Sequence, residues 1–185
     1  SGSFRLGITE MRTDGIVQNF NMKRRNISLN TTQKIFEALE FSANVEYINE
    51  DVKNRYFRNT QGGIPQTILM IANHMGPEEL SPGYDENFQE TGVGTDGNAT
   101  NPYFVLNRFR NVSAKDRFIT AVTAKWDILS WLYLRAKVGQ DYFTFKTENI
   151  IPDGTAFYKE GRVEQGESKF FERNYELLLG LDKNL

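Results

Sequence analysis

His74 is the one histidine of the 185-residue chain, and no Asp, Glu or second imidazole accompanies it at the spacing of a metal site or proton relay. A lone histidine packs or faces solvent far more often than it ligates a metal or takes a proton. Sugar hydrolysis needs two carboxyl groups across a cleft. Glu160, Glu164, Glu167 and Glu172 supply carboxylates, but their spacing does not pair them. Lys23, Arg24 and Arg25 suit an anion, yet at the beginning of a strand they read more simply as a solvated rim. Asp85 to Thr100 mixes acidic residues with glycines and lacks the EF-hand spacing that calcium would need. No nucleophile–base arrangement is visible. The expectation is a protein that is not an enzyme, with no catalytic residues, no metal and no cofactor.

The regular spacing in this chain is of another kind. In Arg117 to Phe145, Leu132, Leu134, Ala136 and Val138 share one parity, while Tyr133, Arg135, Lys137, Gly139 and Asp141 take the other. A period of two places the first set on one face of a strand and the second on the opposite face. Phe118, Thr120, Val122, Ala124 and Trp126 share a face on the preceding arm, and the link between the arms, Asp127 to Ser130, is short enough for a hairpin. Each arm alternates over roughly ten residues, the length a tilted strand needs to cross a bilayer. Trp126, Trp131 and Tyr133 stand at the turn end and Tyr142, Phe143 and Phe145 at the far end, where the aromatic girdles of a membrane barrel would lie.

The same pattern predicts strands at approximately 4–11, 23–32, 39–49, 116–126, 132–145 and 169–181. In the last of these a helix competes, because Glu, Arg and Leu are good helix formers; Asn174, Tyr175 and Gly180 favour the strand. An offset of 93 residues superposes Ile35 on Ile128, Leu39 on Leu132, Phe41 on Leu134, Ala43 on Ala136 and Val45 on Val138, as two hairpins built on one pattern would. Between the hairpins, 51–115 is punctuated by Gly62-Gly63, Gly76-Pro77, Ser81-Pro82-Gly83, the Gly92 to Gly97 cluster and Asn101-Pro102, and reads as one long loop in which Thr67 to Met75 forms a turn or two of helix. Short links at 32–38 and 127–131 alternate with longer ones at 12–22, 51–115 and 146–167. That asymmetry belongs to a barrel wall with turns on one side and loops on the other. The fold class expected is all-β: antiparallel up-and-down strands forming the partial wall of a large transmembrane β-barrel with long extracellular loops.

Composition sets bounds around this reading. The chain is 39% hydrophobic and 13% aromatic, enough for a sizeable sheet. Its mean hydropathy of -0.53 leaves no apolar run of membrane-helix length, which does not count against alternating strands. A net charge of -2 gives no electrostatic footprint for nucleic acid. With no cysteine, disulfides and thiolate metal sites are excluded. The start at Ser1-Gly2-Ser3, without Met, is what a fragment of a longer chain would show.

FRLGITEMRTDGIVQNFNMKRRNISLNTTQ, followed by LEFSANVEYINEDVKN, resembles the early barrel region of SusC/RagA-like TonB-dependent outer-membrane transporters. The matching features are Asp14-Gly15, Asn19, Lys23, Arg24, Asn26, Leu29, Asn30 and then Phe41 to Asn49; Asn101 to Phe109 and the hairpin after Arg117 are similar to the next part of such barrels. The resemblance implies about six strands of a barrel of roughly 22, without the plug, the energy-coupling box or the closing strands. It also implies import of oligosaccharides or peptides across the bacterial outer membrane beneath a SusD-like surface lipoprotein, with energy from TonB. Outer-membrane lipid would meet the apolar parity. Asn44, Glu46, Arg135, Lys137, Asp141 and Glu176 would then face the lumen, for solute contact or for plug packing and hydration. Tyr84, Phe88, Tyr103 and Phe104 would stack on sugars, seal the lid or pack their own loop. The alternative reading is a soluble β-sandwich that binds carbohydrate or serves in adhesion.

Overall fold

The computed structural model describes residues 1–55, 63–93 and 99–182. Six strands form one antiparallel sheet in sequence order: β1 (Gly2–Asp14), β2 (Asn21–Phe36), β3 (Leu39–Lys53), β4 (Arg110–Leu129), β5 (Leu132–Ile151) and β6 (Arg162–Leu181). Every strand is longer than the alternation alone predicts. β6 pairs with β5 along its whole length, from Leu132 opposite Leu181 to Ile151 opposite Arg162, so the competing helix does not form. Among the described residues no second sheet covers either face, which removes the sandwich alternative.

The two tight connections, Glu37-Ala38 and Ser130-Trp131, are 93 residues apart, and the repeat is structural down to its irregularity. Pairing shifts between Lys34 and Phe36 in the first hairpin and between Asp127 and Leu129 in the second, so that Ile35 and Ile128 each become the extra residue of a bulge. Both turns lie at one end of the sheet. At the other end are 15–20, 54–109 and 152–161, so the expected long loop of 51–115 is trimmed by strand at both ends. It also carries three short helices: α1 (Ile64–Met70), α2 (Pro77–Leu80) and α3 (Pro102–Arg108). Each begins with proline in its first turn, where the missing N–H costs nothing. The helix expected in Thr67 to Met75 thus starts earlier and stops at Met70. Gly62 and positions 94–98 of the glycine cluster lie outside the described residues.

The compact core of the described residues sits in these loops and not on the sheet. Ile64, Phe104, Val105 and Phe109 are buried together, with Val17, Tyr84, Leu106, Ile151 and Phe157 packed against them. All three connections at this end therefore contribute to one apolar cluster. Gly83 makes it possible: its φ of 90° is open to glycine, and a Cβ there would meet the backbone nitrogen of Phe104 at 2.2 Å.

Candidate functional site

Register turns the strand patterns into rows across the sheet. Ile8, Ile27, Tyr47, Phe118, Tyr142 and Phe171 pair in succession from β1 to β6. Between this row and the tight turns, the same face carries Phe4 and Leu6, Leu29, Leu39 to Val45, Val122 to Trp126, Leu134 to Val138 and Tyr175 to Leu181, taken at alternate residues. The next row towards the loops is Glu10, Arg25, Asn49, Asp116, Thr144 and Lys169. Apart from Thr31, Gln33, Thr120, Gln140 and Arg173, this face changes from apolar to polar at a single line, and four rings stand on it. From Leu39 to Tyr47, Trp126 back to Phe118, and Leu134 to Tyr142, the apolar stretch is nine residues on each strand, matching the roughly 9–11 residues of a tilted membrane strand.

This row corrects the aromatic grouping expected from sequence. Tyr142 and Trp126 belong to the apolar face, whereas Phe143, Phe145 and Tyr133 have the opposite parity. Phe143 stacks on Phe170 with centroids 5.1 Å apart and receives Lys115 over its ring at 4.4 Å; Tyr133 receives Lys125 at 4.9 Å. The aromatic row itself is made by Tyr142 with Tyr47, Phe118 and Phe171. Tyr47 and Phe118 lie 4.6 Å apart.

No described residue covers the apolar face. Val138 is 46% exposed, and Phe4, Ile8, Val122, Tyr175, Leu177 and Leu179 are exposed beside it. The two buried strand residues, Ile48 at 7% and Val52 at 3%, both lie on the other face. An apolar surface running across six strands is not stable against water and marks contact with lipid or protein.

The polar face holds all six residues expected to face a lumen. Asp141 is forked by Arg117, whose Nε donates to Oδ1 at 2.9 Å while Nη2 donates to Oδ2. Arg135 Nη2 donates to Glu176 Oε1 at 2.6 Å. Lys137 stands directly opposite Glu176 and is exposed. Two strands away, Asn44 donates its side-chain amide to Asn30, and Glu46 is opposite Ile119, itself paired with Asp141. A hollow of about 410 Å³ opens at Gly139, with Lys137, Asp141, Asn174 and Glu176 among its lining residues. Arg117 was not expected as a site residue, although its parity in β4 would have found it. The carboxylates considered for hydrolysis do not converge: Glu164 and Glu172 face one side of β6, Glu167 faces the other, and Glu160 lies in the preceding turn.

The four loop aromatics divide. Phe104 is fully buried in the loop core, so it is closed to any ligand. Tyr103 is half-buried. Tyr84 and Phe88 stack at 5.8 Å, and the Arg108 guanidinium lies over both rings, at 5.8 and 4.8 Å. Phe88 is 53% exposed with φ at 61°, a backbone region costly for a bulky residue. Its turn is held by Asp85, whose Oδ1 accepts from the amides of Asn87 and Gln89 at 2.9 Å. His74 is exposed between α1 and α2, and the described residues contain no cluster of three or more potential metal ligands.

Glu90 ties the loops together. Its Oε1 accepts from the Asn101 amide at 2.6 Å and its Oε2 from the Ala156 amide at 2.8 Å. Burial pushes the Glu90 carboxyl above its ordinary range, opposed by those two donors. Asn101 is itself buried: its Oδ1 caps α3 by accepting from the Tyr103 amide at 2.9 Å, and its Nδ2 donates to the Leu80 carbonyl at 2.8 Å.

No family model matches this sequence, and no curated protein matches it. Among solved structures, the chain is similar to part of one in the structure of the RagAB peptide importer in its closed-closed state, with a TM-score of 0.67. The likeness is one of fold. Identity is 18%, and the match takes in 95% of this chain but 20% of the other, so the chain spans one fifth of that neighbour's length. The chain thus shares the fold of part of that neighbour's chain.

Proposed function

We propose that this chain is a wall segment of a SusC/RagA-like TonB-dependent transporter in a bacterial outer membrane, importing an oligosaccharide or peptide beneath a SusD-like lipoprotein. The observation that supports it best is the row from Ile8 to Phe171, which limits an unpartnered apolar face to the span of a bilayer. In this reading the apolar face meets lipid, since hydrocarbon cannot solvate charge. The polar face lines the lumen, where Lys137 and the hollow at Gly139 meet solute or plug, while Arg117–Asp141 and Arg135–Glu176 hold the wall's inner surface in fixed form. The loops beyond the polar row stand on the cell exterior, with the Tyr84–Phe88–Arg108 group turned to lid or solute. The wall carries its solute without changing it, so no residue has a catalytic role. That the structural neighbour is a peptide importer favours a peptide solute. TonB would act through parts outside this segment.

This segment contains no cysteine, so labels introduced in it meet no competing thiol within the segment. Single cysteines at Val138 and at Lys137, spin-labelled in the full-length protein in lipid nanodiscs, should report opposite solvents: high oxygen accessibility at 138, and high accessibility to a water-soluble nickel complex at 137. Equal water accessibility at both positions would end the transmembrane reading.

A further inference from the structure

Arg173 is the single charged residue on the apolar face between the aromatic row and the tight turns, among the described residues. It sits one row below that line, paired with Gln140, in a row whose other members are Leu6, Leu29, Val45 and Thr120. A guanidinium facing hydrocarbon is costly at depth, and the cost falls towards zero near the interface. The side chain is arranged for the interface. Its Cζ lies over the Phe171 ring at 4.8 Å, on the side of the polar rows, and its Nε donates to Gln140 Oε1 at 3.3 Å. Neither terminal nitrogen has a hydrogen-bond partner among the described residues, and no carboxylate pairs with it. Two residues beyond Phe171, on the same face, Lys169 adds a second cation, which shares Glu167 at 3.0 Å. Below Arg173, Tyr175, Leu177 and Leu179 form an exposed apolar track along β6.

We infer that Arg173 and Lys169 bind the phosphate of an anionic lipid of the outer leaflet, whose acyl chain lies along Tyr175 to Leu179. The two terminal nitrogens, unpartnered among the described residues, form a rigid plane that matches two phosphate oxygens, and Lys169, itself paired with Glu167, stands on the headgroup side. Three features converge on this occupant: positive charge where lipid phosphates lie, a ring that holds the guanidinium at that level, and a hydrocarbon-sized track beneath. The inference rests on the membrane-wall reading above.

The test is native mass spectrometry of the full-length protein released from mixed micelles containing dioleoyl phosphatidylglycerol or dioleoyl phosphatidylcholine. The wild type should retain phosphatidylglycerol with about a tenfold preference, the size expected of one charge-assisted contact. Arg173→Gln should abolish the preference and Arg173→Lys should restore part of it, while inorganic phosphate should not compete. Equal retention of both lipids by the wild type, an unchanged preference in Arg173→Gln, or displacement by inorganic phosphate would each overturn the lipid site. Retention of neither lipid would overturn the membrane wall itself, and the site with it.

Discussion

Tyr47 donates its hydroxyl to Asp116 at 2.6 Å, and that bond crosses the line between the apolar and polar rows of the sheet. The ring stays with Phe118 on the apolar side and the oxygen reaches the polar side, the division that places tyrosine at membrane interfaces. Asp116 Oδ1 also accepts from Asn49 at 3.0 Å, so one carboxylate oxygen of β4 takes two donors from β3. Tyr47→Phe should cost about 1 kcal/mol, the net worth of one hydrogen bond, in urea unfolding from phospholipid vesicles. No loss at all would mean that this boundary bond is not formed in lipid.

Adjacent residues of β5 should respond in opposite ways. Val138→Arg places charge in the apolar band and should cost about 2–4 kcal/mol in vesicles, whereas Lys137→Ala should stay within about 0.5 kcal/mol. The reverse ranking would show that the two faces of β5 have been assigned the wrong way round.

Glu90 predicts a pH dependence in the loops. Its carboxyl titrates above the ordinary value of 4.5, so the folded loops bind the proton more tightly than the unfolded chain. The resulting stabilisation is fully present below about pH 4.5 and is lost as pH rises through the raised folded value. Hydrogen-exchange protection factors of the Asn101 and Ala156 amides should accordingly be larger at pH 4 than at pH 7. Glu90→Gln should flatten the profile and lower protection throughout, because one of the two N–H donors then faces an NH₂ group. A wild-type profile rising with pH would refute the assignment.

Tyr133 lies across Gly180, where a Cβ would come within 2.1 Å of its ring. Gly180→Leu should therefore displace the ring from both the glycine and Lys125, at a cost of roughly 1–3 kcal/mol typical of overpacking. Adding Tyr133→Ala should recover part of that loss; strict additivity of the two changes would show that the residues do not touch.

The parts of this fold legible in the sequence are those in which the two faces of a strand differ. Leu132 to Val138 against Tyr133 to Asp141 shows its faces at a glance, and the match of Ile35 with Ile128 placed both hairpins and, unexpectedly, both bulges. Beyond Tyr142 and Phe118 the pattern breaks, because Thr144, Lys146 and Asp116 take over the parity that was apolar while Phe143 and Phe145 stand on the opposite one. Backbone pairing continues there without a hydrophobic pattern to announce it, which is why strands expected to end near Met11 or Phe145 run to Asp14 and Ile151. The aromatic row was hidden for another reason: it is a property of register across six strands, and no single strand shows which rings of its neighbours stand level with Tyr142. The burial of Phe104 depends on Val17 and Phe157, far away in the chain, and nothing within its own loop signals it.

Glu90 grips the amides of Asn101 and Ala156 with one carboxylate, and this has a bearing on how such a surface diversifies. Two loops at the same end of the sheet sharing a single clasp cannot drift apart in length or shape one at a time. Lineages that keep the clasp will remodel both together, and those that lose it will be free to vary each alone.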